Sequence, residues 1–419
     1  MAVQAHGLTD VGRRRKHNED ALLIDHDLGL YIVADGMGGH AAGEVASAKA
    51  IEVARKVIAE SSDVFREYAR GQEDFELRDR ALGVVERAIQ EASATIFGMA
   101  KEDEAKRGMG TTCVLLVRAG KKGIVGHVGD SRVYLLRNEQ AYQLTEDHTL
   151  VNAQLKQGII TKEQAENASF ANVITRSVGY QESVQVDTLL TDLLPGDRFL
   201  LCSDGLSGYV RDEEWAKFLA AAAIEDLPGK MVQLANHRGG KDNITAVVIG
   251  VEGEKAAPEK AEVEARMEVL RRIPLFKHLK YKELIQVLSI VRTEKARSGG
   301  TIIEEGTDGD RLFIMLRGGA DVLAAGVTVA EISAGQHFGE MALIDNAPRS
   351  ATIRASRDST LLSIDRENFY GLMRKDPVLA VKLLWSFLQV LTGRLRATNE
   401  ELTDARSGLH QQPTPLGEG

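Results

Sequence analysis

Apolar positions in the first 250 residues fall into two rhythms. Short runs rich in Val, Ile and Leu, each closed by Gly or Asp, predict β-strands: ALLIDHD, GLYIVAD, TTCVLLVRAG, GIVGHVGDSRVYLLR, DRFLLCSDG and ITAVVIGVEG. Between the second and third of these, from about Gly43 to Lys106, the pattern is helical. Over residues 251–265 (VEGEKAAPEKAEVEA) composition turns to Glu, Lys, Ala and Pro, as expected of a solvated linker or a lone exposed helix. Beyond it Met267, Leu270 and Ile273, then Leu284, Val287, Leu288 and Val291, restore a helical period. Short glycine-punctuated strands follow in GGTIIEEGTDGDRLFIMLRGGADVL, which predicts a small all-β unit flanked by helices. A last helix after Pro377 spaces Val381, Leu384, Leu388, Leu391, Leu395 and Leu402 close to a heptad. Sustained over only about three heptads, that stripe suits either a homodimer or packing against its own β unit. The polar tail has the composition of a disordered segment. The chain is therefore expected to divide into 1–250, a linker 251–265, 266–405 and a disordered tail 406–419.

Length agrees, because 419 residues exceed what one hydrophobic core usually organises. Hydrophobic residues at 43% and charged residues at 27% describe an ordinary folded chain. The net charge of −9 comes from acids spread along the sequence, so bulk electrostatics give a nucleic-acid partner no support. Cys113 and Cys202 lie inside apolar runs, where a buried thiol in a reducing cytosol is the expectation. The N-terminal segment has no apolar stretch of signal-peptide length, and no segment has roughly 18 continuous apolar residues. A soluble, cytoplasmic protein with no membrane partner is expected.

Three segments end or begin a strand on an aspartate: YIVADGMGGH at Asp35, FLLCSDGLSG at Asp204 and GGKDNITAVVI at Asp242. A strand holds its terminal carboxylate rigidly, and a following glycine lets backbone carbonyls approach a cation. Hard oxygen ligands of this kind suit metal-assisted phosphate-ester hydrolysis. An Asp-Gly after a strand is also an ordinary turn, so each segment alone says little. The ordered set says more. RKHNED, VADGMGGHAAGE, GMGTT, GHVGDSRVY, LTEDHT, VITRSVG, LLCSDGLSGYV and GGKDNITAVVI together resemble the bacterial type 2C, metal-dependent protein serine/threonine phosphatases.

The resemblance implies an α+β fold, a four-layer α/β/β/α sandwich, with two Mn²⁺ or Mg²⁺ ions and a weaker third. It implies that Asp35 bridges two metals, that the Gly36 carbonyl and Glu19 complete one site and that Asp204 and Asp242 hold the other. Asp20 would support them, and Asp130 with Asp204 would hold the third ion. Arg15 would grip the substrate phosphate, a task that suits a planar guanidinium, with Arg13 or Arg14 as substitutes if the register slips. His40 would be the general acid, an imidazole being suited to protonating an alkoxide. Asp147 either assists or caps the helix after DHT. The stretch from Leu150 to Ala171 corresponds to the flap of bacterial members. Hydrolysis would proceed by metal-activated water on phosphoserine or phosphothreonine proteins, with no nucleophilic side chain placed to form a phosphoenzyme.

The segment FGEMALIDNAPRSATIRA supplies what a cyclic nucleotide needs: a carboxylate for the ribose hydroxyl, an Arg and exposed amides for the phosphate. It resembles the phosphate-binding cassette of cyclic-nucleotide-binding domains, a β-roll with flanking helices, with Gly339, Glu340, Ala342, Arg349 and Ser350 matching. By that resemblance Glu340 takes the ribose hydroxyl, Arg349 the phosphate, and amides near Ala342 and Ala351 complete the cradle. A plain surface ion pair between Glu340 and Arg349 is the bland alternative. Ser350 leans the ligand slightly towards cyclic AMP over cyclic GMP. Two rivals stay open: a ligand-free dimerisation or scaffold module behind the phosphatase, and a non-catalytic nucleotide sensor.

Overall fold

The computed structural model describes residues 2–410 apart from 39–41, 72, 73, 167, 169, 171, 172 and 254–257. The chain divides into two compact units, Met1–Val263 and Glu264–Gly419.

The first unit has strands β1 (Val3–Asp10), β2 (Asp20–Asp25), β3 (Leu30–Met37), β4 (Gly110–Thr111), β5 (Cys113–Ala119), β6 (Lys122–Val128), β7 (Arg132–Arg137), β8 (Gln140–Gln143), β9 (Asp187–Asp192), β10 (Arg198–Cys202) and β11 (Ile244–Val251). Its helices are α1 (Gly43–Glu60), α2 (Ser62–Arg70), α3 (Phe75–Glu102), α4 (Leu150–Lys156), α5 (Lys162–Glu166), α6 (Asp204–Ser207), α7 (Trp215–Ala220) and α8 (Leu227–His237). One sheet runs β1-β11-β10-β7-β8 and the other β2-β3-β5-β6-β9, with β4 paired to β3. Both are antiparallel.

Strand alternation sorts the core into layers. Leu30, Ile32 and Ala34 of β3 and Leu115 and Val117 of β5 pack with α1 to α3. Leu200, Ala246 and Val248 pack with α6 to α8. The intervening residues, among them Val33, Leu116, Leu201 and Val247, are equally buried and fill the space between the sheets. This is the four-layer α/β/β/α sandwich that the motifs imply. Cys113 and Cys202 are buried free thiols, each pushed up to about 12 by burial.

One expected strand run divides. GIVGHVGDSRVYLLR becomes β6, in one sheet, and β7, in the other. The chain crosses between sheets at Gly129, whose φ is 107°; a Cβ there would stand 2.6 Å from the Thr112 Cβ, so a side chain is excluded.

Helix α9 (Pro258–Arg272) occupies much of the segment expected as a linker or lone exposed helix, and its residues from Glu264 onward belong to the second unit. That unit further comprises α10 (Tyr281–Leu288), β12 (Arg292–Ala296), β13 (Thr301–Ile303), β14 (Arg311–Arg317), β15 (Gly319–Ala324), β16 (Val327–Ser333), β17 (His337–Phe338), β18 (Thr352–Ala355), β19 (Ser359–Asp365), α11 (Arg366–Lys375) and α12 (Pro377–His410). Two four-stranded sheets, β12-β19-β14-β17 and β13-β18-β15-β16, enclose Phe313, Met315, Ile332, Phe338 and Ile353, giving the β-roll.

Helix α12 packs on its own unit, but not through the heptad stripe. Its inward face is Leu379, Leu383 and Phe387, with Phe387 edge-on to Phe369 at 5.8 Å. The heptad stripe points the other way: Val381 is 66% exposed, Leu388 60% and Leu395 62%. A four-residue step packs the helix on its own unit, and the seven-residue stripe stays uncovered among the described residues. That stripe gives Pro377–Glu400 the length and mean hydropathy, 1.4, of a membrane span, although Lys382 and Gln389 interrupt it. The tail expected to be disordered from residue 406 is helical to His410, and 411–419 lie outside the described residues.

Candidate functional site

Acidic side chains converge at one end of the first unit's sandwich. Asp20 opens β2 and pairs in register with Asp35 of β3. Because Ala34 faces the helices, both carboxylates fall on the inner face, between the sheets. Asp204 opens α6 two residues beyond the end of β10, Asp242 stands two residues before β11, and Asp130 sits in the β6–β7 crossover.

Hydroxyls of the facing sheet hold Asp20: its Oδ2 accepts from Ser203 Oγ at 2.8 Å and Thr245 Oγ1 at 2.6 Å. The Asp35 amide donates to Thr112 Oγ1 at 3.0 Å, and the Thr112 amide donates to the Asp35 carbonyl at 2.8 Å. Thr112 Oγ1 in turn meets Ser131 Oγ at 2.7 Å, tying Asp35 to the segment that carries Asp130. Glycines let the backbone close in. A Cβ on Gly36 would lie 2.1 Å from the Gly43 carbonyl oxygen and 2.6 Å from that of Glu19, and one on Gly43 would lie 2.7 Å from Glu19 Oε1. A Cβ on Gly205 would lie 1.9 Å from the Asn243 carbonyl oxygen.

These residues fit a hard divalent cation. The donor set is carboxylate and carbonyl oxygen, and among the described residues Asp20 Oδ1 and Asp204 Oδ1 are buried with no hydrogen-bond partner. Arg15 Nη2 donates to Asp242 Oδ2 at 2.8 Å, and Nη1 lies 3.9 Å from Glu19 Oε2; its side chain is 48% exposed, within reach of an incoming anion. His40 lies outside the described residues.

Several contributors carry no acidic signature and were missed. Asn243 accepts from the Glu19 amide at 2.8 Å and donates to the Val11 and His17 carbonyls at 3.0 Å, so it shapes the whole Arg15–Glu19 turn. Its place beside Asp242 was the available signal. Asp147 does not cap the helix. Thr149 caps α4, and Asp147 takes a bidentate contact from Arg132, at 2.9 and 2.6 Å.

In the second unit Gly339 has φ 74°, and a Cβ there would lie 2.8 Å from Arg349 Nη1. Arg349 donates to the Gly339 carbonyl at 3.1 Å and the Arg311 carbonyl at 2.9 Å. Glu340 is 2% exposed, on a 3₁₀ turn Glu340–Leu343 that also buries Ala342. Its ion-pair partner is Arg394 of α12, not Arg349, so the bland surface pair is not what forms. Ser350 is exposed and Ala351 half-buried beside Arg349.

The protein phosphatase 2C family model matches residues 12–238, and the cyclic nucleotide-binding domain model matches 293–376. The chain belongs to the protein phosphatase 2C family. It is 37% identical over 251 residues to the serine/threonine phosphatase stp of Listeria innocua, covering 59% of this chain and 95% of that one. Protein phosphatase PhpP of Streptococcus pneumoniae is 36% identical over 257 residues, covering 59% and 98%. Among solved structures, the Mycobacterium tuberculosis serine/threonine phosphatase PstP/Ppp matches with TM-score 0.53 and 32% identity, over 60% of this chain and all of that one (100%). A PstP catalytic domain in complex with two manganese ions matches at TM-score 0.50 and 31% identity, over 60% and 99%. This protein is thus a metal-dependent serine/threonine phosphatase with a C-terminal cyclic-nucleotide-binding domain.

Electrostatics of the phosphatase site follow from crowding. Burial, then repulsion from Asp204 outweighing part of the Thr245 and Ser203 hydrogen bonds, lifts Asp20 to about 6. Burial with repulsion from Asp204 and Asp147 lifts Asp130 to about 7. Asp35 goes well above the usual carboxylate range through burial and its four acidic neighbours, and Asp204 rises for like reasons. Unfolded aspartates titrate near ~4, so the folded, chelator-treated phosphatase holds more protons across roughly pH 4 to 7. Its melting temperature with EDTA should therefore fall as pH rises through that window, and Mn²⁺ should restore it at pH 7.5. A melting temperature independent of pH in EDTA would contradict the crowding.

Proposed function

We propose that the phosphatase hydrolyses phosphoserine and phosphothreonine proteins at the Asp20–Asp35 end of the sandwich, under control of a cyclic nucleotide bound by the second unit. The pairing of Asp20 with Asp35 beneath the Ser203 and Thr245 hydroxyls carries the reading, since it builds a rigid oxygen-rich cradle. Asp35, Glu19, the Gly36 carbonyl, Asp204 and Asp242 would hold two ions, and Asp130 with Asp204 would hold a weaker third. When bound, Mn²⁺ or Mg²⁺ supplies Lewis acidity and lowers the pKa of a water to near neutrality. Asp20 keeps the cradle in place from beneath. Arg15 orients the substrate phosphate by exchanging Asp242 for phosphate oxygens, which a guanidinium binds in paired fashion. His40 protonates the departing alkoxide. The buried thiols suit a cytoplasmic location, where they stay reduced.

For the second unit, Glu340 takes the ribose hydroxyl and Arg349 the phosphate, with Gly339, Ala342, Ser350 and Ala351 forming the cradle. Ser350 favours cyclic AMP slightly over cyclic GMP. Regulation requires the ligand to bind two states of the protein unequally.

Asp35→Asn should abolish turnover of p-nitrophenyl phosphate with Mn²⁺, and EDTA should do the same to the wild type; retained turnover in either would remove the assignment. Phosphopeptide turnover measured across a cyclic AMP and a cyclic GMP titration should change with one of them and lose that response in Glu340→Gln. A flat response, with no heat of binding in calorimetry, would leave the second unit a ligand-free module.

A further inference from the structure

His148 holds Gly129 from both sides. Its backbone amide donates to the Gly129 carbonyl at 2.8 Å, and the Gly129 amide donates to His148 Nδ1 at 3.1 Å. With Nδ1 accepting, the ring proton lies on Nε2, 3.3 Å from Asp187 Oδ2. Arg176 Nη1 donates to Asp187 Oδ1 at 3.1 Å and stands 3.2 Å from Nε2. The ring of His127 lies against that of His148 at 4.5 Å. His127, His148 and Asp187 are close enough to suggest a cation site, but Arg176 already places positive charge against the imidazole and carboxylate. The cluster is a structural hub.

Its position gives the hub a function. The excursion carrying α4 and α5 leaves the sandwich at Thr149 and returns through Val173–Arg176. The His148 carbonyl accepts from the Thr175 amide at 2.7 Å, and the Leu150 amide donates to the Val173 carbonyl at 2.9 Å. The same residue thus grips both ends of the excursion and the peptide preceding Asp130. We infer that His148 is a positioning residue that fixes the Asp130 carboxylate through Gly129 and ties it to the base of the excursion. This rests on reading Asp130 as a cation ligand.

Two substitutions separate the ring nitrogens. Asn places an acceptor near Nδ1 and loses the reach to Asp187; Gln does the reverse. His148→Gln should raise the Mn²⁺ concentration for half-maximal turnover several-fold, lower kcat more than it raises KM for p-nitrophenyl phosphate, and weaken the last Mn²⁺ bound in calorimetry. His148→Asn should restore most of each. Asp187→Asn, at a half-exposed carboxylate, should show a smaller shift of the same kind and serves if His148→Gln melts early. Wild-type Mn²⁺ binding in His148→Gln, or equal impairment of the Asn and Gln variants, would overturn the role. If Asp130→Asn itself leaves Mn²⁺ binding unchanged, it is the reading of Asp130 that fails.

A second inference concerns the other unit and rests on its reading as a nucleotide pocket. Glu340 Oε1 pairs with Arg394, while Oε2 is buried without a partner among the described residues. Arg394 comes from a turn of α12 whose neighbours are exposed, and its own side chain is 51% exposed. We propose that Arg394 is a built-in competitor for Glu340: with Oε1 taken by Arg394 and Oε2 shut off from solvent, a ligand hydroxyl reaches Glu340 only when Arg394 withdraws. Breaking the pair removes that competition. In calorimetry of the full chain, Arg394→Gln should bind cyclic AMP several-fold more tightly than the wild type, and Glu340→Gln should not bind. Equal or weaker binding by Arg394→Gln would overturn the competition; no heat from either the wild type or Arg394→Gln, with cyclic AMP or cyclic GMP, would overturn the pocket reading beneath it.

Discussion

Asp20, Asp35, Asp130 and Asp204 are forced together, largely out of water, at one end of a β-sandwich, and the first unit is organised around sustaining that crowding. Like charges in a poorly solvated place repel strongly and favour protonation. They stay close because Asp20, Asp35 and Asp204 are fixed to β2, β3 and α6, Asp130 to the tight crossover between the sheets, and the sheets cannot part without exposing the apolar layer between them. Register matters as much as position. A one-residue slip of β3 would turn Asp35 into the helix-facing layer and Ala34 towards the opposing sheet. The same crowding explains the hard-cation chemistry, since only added positive charge lets all four ionise together.

Hydroxyls, amides and glycines do the remaining placement. Ser203 and Thr245 reach across from the facing sheet to Asp20, and Thr112 links Asp35 to Ser131 beside Asp130. Gly36, Gly43 and Gly205 admit backbone where any side chain would collide. Gly129 turns the chain from one sheet to the other, and His148 holds that turn. The second unit uses another economy: Arg349 is held by carbonyls from two segments, and Glu340 lies under a helix that packs on its own unit through one face only.

The strand runs, the helical stretch between GLYIVAD and TTCVLLVRAG, and the glycine-rich strands of the second half were legible because each carries a local period. The acidic motifs were legible because chemistry restricts the residue types at a metal and a phosphate. Asn243 and His148 were not, since each acts through contacts with residues distant in the chain, and neither residue type is diagnostic in a loop. The capping role of Asp147 failed for the same reason: its partner Arg132 lies 15 residues away on a strand. The α12 stripe was visible, but which face packs was not, because both Leu379–Leu383–Phe387 and Val381–Leu388–Leu395 are apolar at helical spacing.

By itself, then, the order of residues determined the element types, the carboxylates at strand ends and the pairing of a phosphatase with a nucleotide-binding module, because these rest on local periodicity and on motifs short enough to be contiguous. Tertiary structure alone decided that GIVGHVGDSRVYLLR serves two sheets, that Asp20 is gripped from the opposite sheet and that Glu340 pairs with a helix 54 residues onward. Those outcomes depend on which surfaces meet when the sheets close, and no local pattern encodes a meeting between segments that far apart.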